Sequence, residues 1–297
     1  MNFIDLNHRW PKMKQATNSK KLCVFVQVYN EYKLLEELVH SLMEQTLKPA
    51  KVIIIDDGSP MPEVLQETKR LADNYPALNI VPLTLPLKEK PNLDTVGKGL
   101  KIAWLSIRDN DFDYVSILDA DARVTSEYYK TIIKEMEQNS RIACASGALV
   151  VKSKIEEYIE EINIGAKIGR KDARGTGKVI RTSFLQTINP DVFPNVTWDT
   201  WINTKAKIRK FKTPQINKTF FYAKRPTTRV IKKDLFRNGR ITYHFGYNPI
   251  LLLMKVVLAG RGGIKILKGY WYARKMKWRL RDKEVRKYFG WRFFLHF

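Results

Sequence analysis

The sequence predicts an α/β fold: a mainly parallel sheet flanked by helices, followed by a basic helical C-terminal appendage. Three observations carry that expectation. Short β-branched apolar runs alternate with segments of helical periodicity, the pattern of parallel strands joined by crossover helices. Two of these runs stop abruptly on acidic turns, Asp56-Asp57-Gly58-Ser59 and Asp119-Ala120-Asp121, at the strand ends where such sheets bind ligands. The charge is also segregated. Met1–Thr204 holds 27 basic and 27 acidic residues, whereas Lys205–Phe297 holds 26 basic and 3 acidic, the whole of the net +23.

Leu22–Val28 reads as a buried strand. Tyr32–Gln45 places Leu34, Leu35, Leu38, Val39, Leu42 and Met43 at helical spacing. Lys51–Ile55 is a second strand, Pro62–Asn74 a helix and Leu78–Pro82 a third strand. Asp94–Arg108 is a helix carrying Ala103, Trp104 and Ile107, and Tyr114–Leu118 a fourth strand. Beyond residue 150 the pattern loosens, and Gly165–Gly177 reads as a glycine-containing loop region. The expected organisation is an N-terminal extension (1–20), a catalytic domain (21–230) and a basic aromatic region (231–297).

Composition bounds the possibilities. With 44% apolar and 11% aromatic residues the chain has enough material for a core, which excludes a disordered protein. Cys23 and Cys144 both fall in apolar runs, pointing to buried thiols in a reducing compartment rather than a disulfide framework. Met1–Lys20 is polar and lacks an apolar core, so no signal peptide is expected. Nor is a spanning helix, since the most apolar stretch, Ile241–Gly260, contains His244, Asn248, Pro249 and Lys255.

Four constellations bear on chemistry. In Asp119-Ala120-Asp121, residues i and i+2 of an extended segment project to one side. Two carboxylates held there repel unless a cation lies between them. Mg²⁺ or Mn²⁺ would fill that role and keep positions for phosphate oxygens, while solvated turn residues or a helix cap are the plainer alternative. A carboxylate of Asp56-Asp57-Gly58-Ser59 can accept hydrogen bonds from a base N–H or a ribose hydroxyl, or can cap a strand-to-helix turn. Gly97-Lys98-Gly99 opens or interrupts a helix where a lysine can reach a phosphate, although P-loop spacing is absent. Trp198-Asp199-Thr200-Trp201 sets a carboxylate between two tryptophans. That suits a general base in a partly desolvated cleft, or an N-cap beside core tryptophans. The histidines, His8, His40, His244 and His296, lack zinc-like spacing.

Taken in order, Val28-Tyr29-Asn30-Glu31, Ile55-Asp56-Asp57-Gly58-Ser59, Gly97-Lys98 and Leu118-Asp119-Ala120-Asp121 make the chain resemble the family 2 glycosyltransferases of GT-A fold. Gly175-Thr176-Gly177-Lys178-Val179-Ile180-Arg181 is similar to the family's acceptor-side strand. Trp198-Asp199-Thr200-Trp201 is similar to its Glu-Asp motif, and the resemblance covers roughly residues 20–215. It implies a nucleotide-diphospho-sugar donor bordered by Tyr29, Glu31, Asp56, Asp57, Gly97, Lys98 and Asp119, with Asp57 nearest the base. It implies Mg²⁺ or Mn²⁺ held by Asp121 with Asp119, and Asp199 as the base that deprotonates an acceptor hydroxyl. Gly175, Thr176, Trp198 and Trp201 would lie on the acceptor side. The implied reaction is a single displacement with inversion at the anomeric carbon. Gln27 stands where the family often has Pro or Thr, and Trp198 replaces the usual Glu before the catalytic Asp. The Q-x-x-R-W signature of polymerising members is missing, which implies transfer of one or few sugars.

The basic region interleaves Trp271, Tyr272, Trp278, Tyr288, Phe289, Trp291, Phe293 and Phe294 with Lys and Arg. Pro249 suits the first turn of a helix that ends at Gly260, too short to span a bilayer but suited to lie in an anionic interface. The expected location is therefore peripheral, on the cytoplasmic face of the cell membrane; the resemblance of Gly246-Tyr247-Asn248-Pro249 and the apolar run after it to the tails of bacterial and archaeal family 2 enzymes implies a lipid-linked or surface glycan as acceptor. A basic subdomain that packs its own aromatics is the alternative, and nucleic acid is disfavoured because no nucleic-acid module is present. Two other functions are weighed. A nucleotidyltransferase acting on a sugar phosphate is disfavoured by Gln27-Val28-Tyr29-Asn30-Glu31, which lacks that reaction's glycine-rich basic signature. A decayed, non-catalytic tether is opposed by the intact Asp119, Asp121 and Asp199. The sugar, the oligomeric state and whether His244 joins the metal stay open.

Overall fold

Strands β1 (Leu22–Val28), β2 (Lys51–Asp56), β3 (Ile80–Thr84) and β4 (Tyr114–Asp119) lie parallel in the order β3-β2-β1-β4. The computed structural model describes residues 20–87, 96–151, 172–223 and 234–291. The N-terminal extension up to residue 19, Asp94, the loop region up to residue 171, the expected boundary near 230 and Phe293–Phe294 lie outside the described residues. Past β4 the sheet becomes mixed. Strand β7 (Lys178–Arg181) runs antiparallel to β4, and β6 (Cys144–Val151) antiparallel to β7. Strand β8 (Gln215–Ala223) is parallel to β6, and β5 (Ala122–Val124) closes the edge antiparallel to β8.

The two faces of the sheet follow from the period-two alternation of side chains. Leu22, Val24, Val26 and Val28 of β1 join Val52 and Ile54 of β2 and Leu118 of β4 on one face. Helices α1 (Leu35–Met43), α2 (Glu63–Asn74) and α4 (Tyr128–Gln138) bury Leu38, Leu71 and Ile132 in the same cluster. Cys23 and Phe25 join Ile53, Ile55, Val115 and Ile117 on the other face, under α3 (Val96–Ile107) and α6 (Trp198–Ile208), with the short α5 (Thr182–Gln186) beside them. Both cysteines are free and buried, and burial pushes the Cys23 thiol up to about 12. The expected third strand starts later, at Ile80. Pro76–Leu78 instead form a 3₁₀ turn, and Asn79 leaves it in the left-handed region at φ 44°.

The C-terminal region forms α7 (Leu235–Phe245), α8 (Pro249–Leu258), α9 (Gly263–Lys275) and α10 (Lys283–Trp291). Asp234 caps α7 by accepting from Arg237 N, Gly246 ends it at φ 67°, and Asn248 caps α8 by accepting from Ile250 N with Pro249 at the first position. These helices share a core with the sheet: Phe245, Leu280, Val285 and Phe289 belong to the cluster that holds Trp201, Ile202 and Ala206 of α6. Asp282, buried, accepts from Trp201 Nε1 at 3.0 Å and from Val285 N at 3.1 Å, and pairs with Lys205 Nζ at 3.1 Å. Glu284 pairs with the same lysine.

Removing one partner from this buried group leaves Lys205 and the Trp201 indole uncompensated. The Asp282→Ala substitution should lower unfolding free energy by about 3 kcal/mol, measured by urea titration. An unchanged midpoint would show that the appendage is not pinned through Asp282.

Candidate functional site

The parallel register brings three strand ends level. Val28 of β1 sits opposite Asp56 of β2, and Gln27 opposite Asp119 of β4. Backbone bonds then fold the following turns over that edge: Asp57 N donates to the Val28 carbonyl at 2.9 Å, and Ala120 N to the Gln27 carbonyl at 3.0 Å. Asp56 accepts from Ser59 N at 2.9 Å, and the Ser59 hydroxyl accepts from Asn30 N at 2.9 Å. The Asp56 side chain thus builds the turn in which Gly58 takes φ 77°, and ties it to the loop of Tyr29, Asn30 and Glu31. Tyr29 and Glu31 are half-buried beside it, and Asp57 is buried.

The Asp119-Ala120-Asp121 run bridges the end of β4 and the start of β5. Asp119 is half-buried, and its Oδ2 accepts from the Thr176 hydroxyl. Asp121 is buried near Arg123, whose guanidinium donates to the Ala122 carbonyl at 2.5 Å and the Leu34 carbonyl at 2.9 Å and pairs with Glu37 at 3.0 Å. Burial pulls the Arg123 pKa down, and the charges of Glu37 and Asp121 work against that. Among the described residues no group of three or more His, Cys, Asp or Glu converges on one point. Asp119 and Asp121 offer carboxylate oxygens, the donor chemistry that Mg²⁺ or Mn²⁺ takes together with water and phosphate oxygens.

Gly175 and Thr176 join the two halves of the site. Thr176 holds Asp119, while a Cβ built on Gly175 would lie 3.3 Å from Asp199 Cβ and 3.6 Å from the Trp198 ring. Asp199, in the first turn of α6, therefore faces the same two-residue segment as Asp119. Gly177, at φ 76°, donates its N–H to the Ile117 carbonyl at 2.8 Å, and its carbonyl accepts from the Tyr128 hydroxyl at 2.6 Å. That hydroxyl also accepts from Gly147 N at 2.9 Å, so Tyr128 pins β6 and the β7 turn together. Burial pushes the Tyr128 pKa up, keeping the hydroxyl protonated as the donor that this arrangement needs.

Lys178 is fully buried under this segment. Its ammonium donates to the Asp199 carbonyl at 3.1 Å, to Asn203 Oδ1, and to the Ala173 carbonyl at 3.5 Å. Asn203 Nδ2 donates to the same Ala173 carbonyl at 2.8 Å. Burial holds the Lys178 pKa below the ordinary lysine value.

The remaining residues singled out from sequence make the following contacts. Gly97 is buried, its N–H donates to the Asn195 carbonyl at 2.7 Å, and a Cβ there would collide with the Pro194 carbonyl. Its geometry locks α3 to the loop before Trp198. Lys98 is exposed. Trp201 is wholly buried against Phe193 and Asp282. His244 is buried against Trp278, ring centroids 4.5 Å apart. Gln27 donates its side-chain amide to the Val96 carbonyl at 2.8 Å, tying β1 to α3.

Sequence reading overlooked Tyr128, Lys178 and the Pro194–Asn195 contact. Lys178 alone left a signal, a charge opening the apolar run Lys178-Val179-Ile180. Gly97→Ala should lower stability by about 2 kcal/mol in a urea titration, because backbone must move to admit the methyl, whereas Lys98→Ala should leave it unchanged. Equal midpoints for the two variants would refute the packing role of Gly97.

Comparison with curated proteins gives no match. Among solved structures, the mannosyltransferase PcManGT from Pyrobaculum calidifontis, in complex with GDP-Man and Mn²⁺, superposes with a TM-score of 0.57 at 17% identity. The overlap covers 77% of this chain and 64% of that one. S. aureus TarS superposes with a TM-score of 0.51 at 18% identity over 75% of this chain, which spans 39% of TarS. TarS 1–349 in complex with UDP-GlcNAc gives 0.52 at 19% identity, covering 75% of this chain and 65% of that one. These likenesses show the GT-A type fold. The model of the family described as "Glycosyl transferase family 2" matches residues 23–197, more than half of the chain, and stops just short of Trp198 and Asp199. The strand ends, the Asp119–Thr176 link and this match together establish that the chain belongs to glycosyl transferase family 2.

Proposed function

We propose that this glycosyltransferase moves a sugar from a nucleotide-diphospho-sugar to a hydroxyl of a lipid-linked or surface glycan, by inverting single displacement. The carrying observation is the Gly175–Thr176 segment: the Thr176 hydroxyl donates to Asp119, and a Cβ on Gly175 would lie 3.3 Å from Asp199 Cβ. A diphosphate-side carboxylate and a candidate base would thus approach one short segment from two sides. The PcManGT structure holds GDP-Man with Mn²⁺, and a TarS structure holds UDP-GlcNAc, which supports a donor of this class.

Tyr29, Glu31, Asp56 and Asp57 would receive the nucleoside, with Asp57 accepting from base N–H groups. Asp119 and Asp121 would hold Mg²⁺ or Mn²⁺, which when bound supplies positive charge to the departing diphosphate. Asp199 would accept the proton of the acceptor hydroxyl as the acceptor oxygen bonds to the anomeric carbon. The bond from that carbon to the diphosphate oxygen breaks on the opposite face, and the nucleoside diphosphate leaves with the electron pair. Lys178 holds the backbone of Asp199 and so orients the base without touching substrate. We place the enzyme peripherally on the cytoplasmic face of the cell membrane, on the strength of the cationic appendage, and infer transfer of one or few sugars.

Two substitutions test this reading. Asp199→Asn should lower transfer by roughly 100-fold or more while leaving nucleoside diphosphate affinity unchanged in calorimetry. Asp121→Asn should abolish the Mn²⁺ dependence of that binding. An Asp199→Asn enzyme that transfers at the wild-type rate would sink the mechanism, and Mn²⁺-dependent binding by Asp121→Asn would remove the metal assignment.

A further inference from the structure

Helix α8 is amphipathic in the wrong sense for a soluble domain. Ile250, Leu253, Met254, Val257 and Leu258 recur at the spacing of one helical stripe, and all are exposed, Leu253 at 62%, Val257 at 68% and Leu258 at 83%. The helix's one charged residue, Lys255, is turned inward: its Nζ donates to the Thr242 hydroxyl at 3.1 Å and lies 4.0 Å from the Tyr247 ring centroid. None of the helix's residues is buried. Close backbone contacts fix this presentation. A Cβ on Gly263 would collide with the Val256 carbonyl, and Cβ atoms on Gly239 and Gly269 would collide with backbone across the α7–α9 contact. The apolar stripe is therefore held outward by a rigid three-helix unit.

The chemistry around the stripe selects its partner. The adjoining α9 exposes Ile264, Trp271 and Tyr272 together with Lys265 and Lys268. From Leu235 to Trp291 the chain carries fourteen basic residues and two acidic ones, Asp282 and Glu284. Both acids pair with Lys205, and the region keeps a net positive charge, with Lys265 and Lys268 exposed beside the stripe. A second copy of the same face would bring like charges together. An anionic bilayer offers both an apolar layer for the stripe and headgroup phosphates for the lysines and arginines. At 10 residues α8 is about 15 Å long, half a hydrocarbon core, so it lies in the interface rather than crossing it.

We infer that the exposed face of α8, rimmed by the basic and aromatic residues of α9, is the element that inserts into an anionic membrane surface. This deepens the peripheral placement proposed above and rests on it, but not on the transfer chemistry.

The test uses the full chain with vesicles of phosphatidylcholine alone and of equal parts phosphatidylcholine and phosphatidylglycerol. The wild type should float with the anionic vesicles and not with the neutral ones. The double variant Val257→Asp with Leu258→Asp, both on exposed positions, should lose that binding by roughly tenfold or more. An environment-sensitive dye on Leu253→Cys should shift to the blue on binding. Flotation of the double variant at the wild-type level, or a dye that stays in water while the chain floats, would overturn the proposal. So would vesicle-independent self-association abolished by the double variant, which would make a second copy the occupant. Calorimetric binding of a nucleoside diphosphate, measured in parallel, reads the donor site independently. Its loss with flotation intact would count against the donor reading alone, and its retention with flotation lost would count against docking alone.

Discussion

The buried ammonium of Lys178 is the point on which the site's geometry depends. Taking a charge out of water costs several kcal/mol, and here it is offset by three neutral oxygens drawn from two separate pieces of chain. Ala173 belongs to the loop before β7, Lys178 to β7 itself, and Asp199 and Asn203 to α6. Asn203 also accepts from the Cys144 thiol at 3.4 Å, which brings in β6. Desolvation by burial is what holds the Lys178 pKa below the ordinary lysine value. A hydrophobic side chain would pack at less cost but would forfeit the lysine's hydrogen bonds to the Asp199 carbonyl and Asn203 Oδ1. The lysine is thus better understood as fixing one arrangement of loop, strand and helix than as adding stability.

The same logic explains what the sequence revealed and what it did not. Strands β1, β2 and β4 were legible because burial on both faces demands unbroken apolar runs, and their ends were legible because acidic turns interrupt those runs. Helix α3 and the first turn of α6 were legible for similar local reasons. Strands β5 and β8 were not, and β6 showed only as the strand-like apolar run that holds Cys144. Their side chains meet partners far away in the chain, Ala122 pairing with Ala223 and Ser146 with Gln215, so local pattern carries little of their information. Lys178 and Tyr128 belong to the same class: a lysine and a tyrosine look like surface or core residues until the chain closes around them.

Motif reading also assigned ligand contact to residues whose observed contacts are internal. Asp56 spends one carboxylate oxygen on its own turn, and Gly97 spends its missing side chain on the Pro194 carbonyl. Both also set the positions of Asp57 and of the loop leading to Asp199. A turn residue in such an edge can be indispensable through the positions it sets, and a motif does not distinguish that role from ligand contact.

The charge asymmetry takes on a different meaning once the appendage is seen to share a core with the sheet. Helix α6 carries Asp199 in its first turn and Lys205 two turns later, about 9 Å along the axis. Lys205 is where two of the appendage's acids, Asp282 and Glu284, converge, and Trp201, between Asp199 and Lys205, donates to Asp282. The candidate base and the anchor of the C-terminal helices therefore lie on one rigid rod. A surface that seats the appendage fixes, through that rod, the height and tilt of Asp199 above it. On the membrane placement proposed above, the basic region would do more than concentrate the enzyme at a surface: it would hold Asp199 at a set distance from the lipid headgroups, where a lipid-linked hydroxyl would be found.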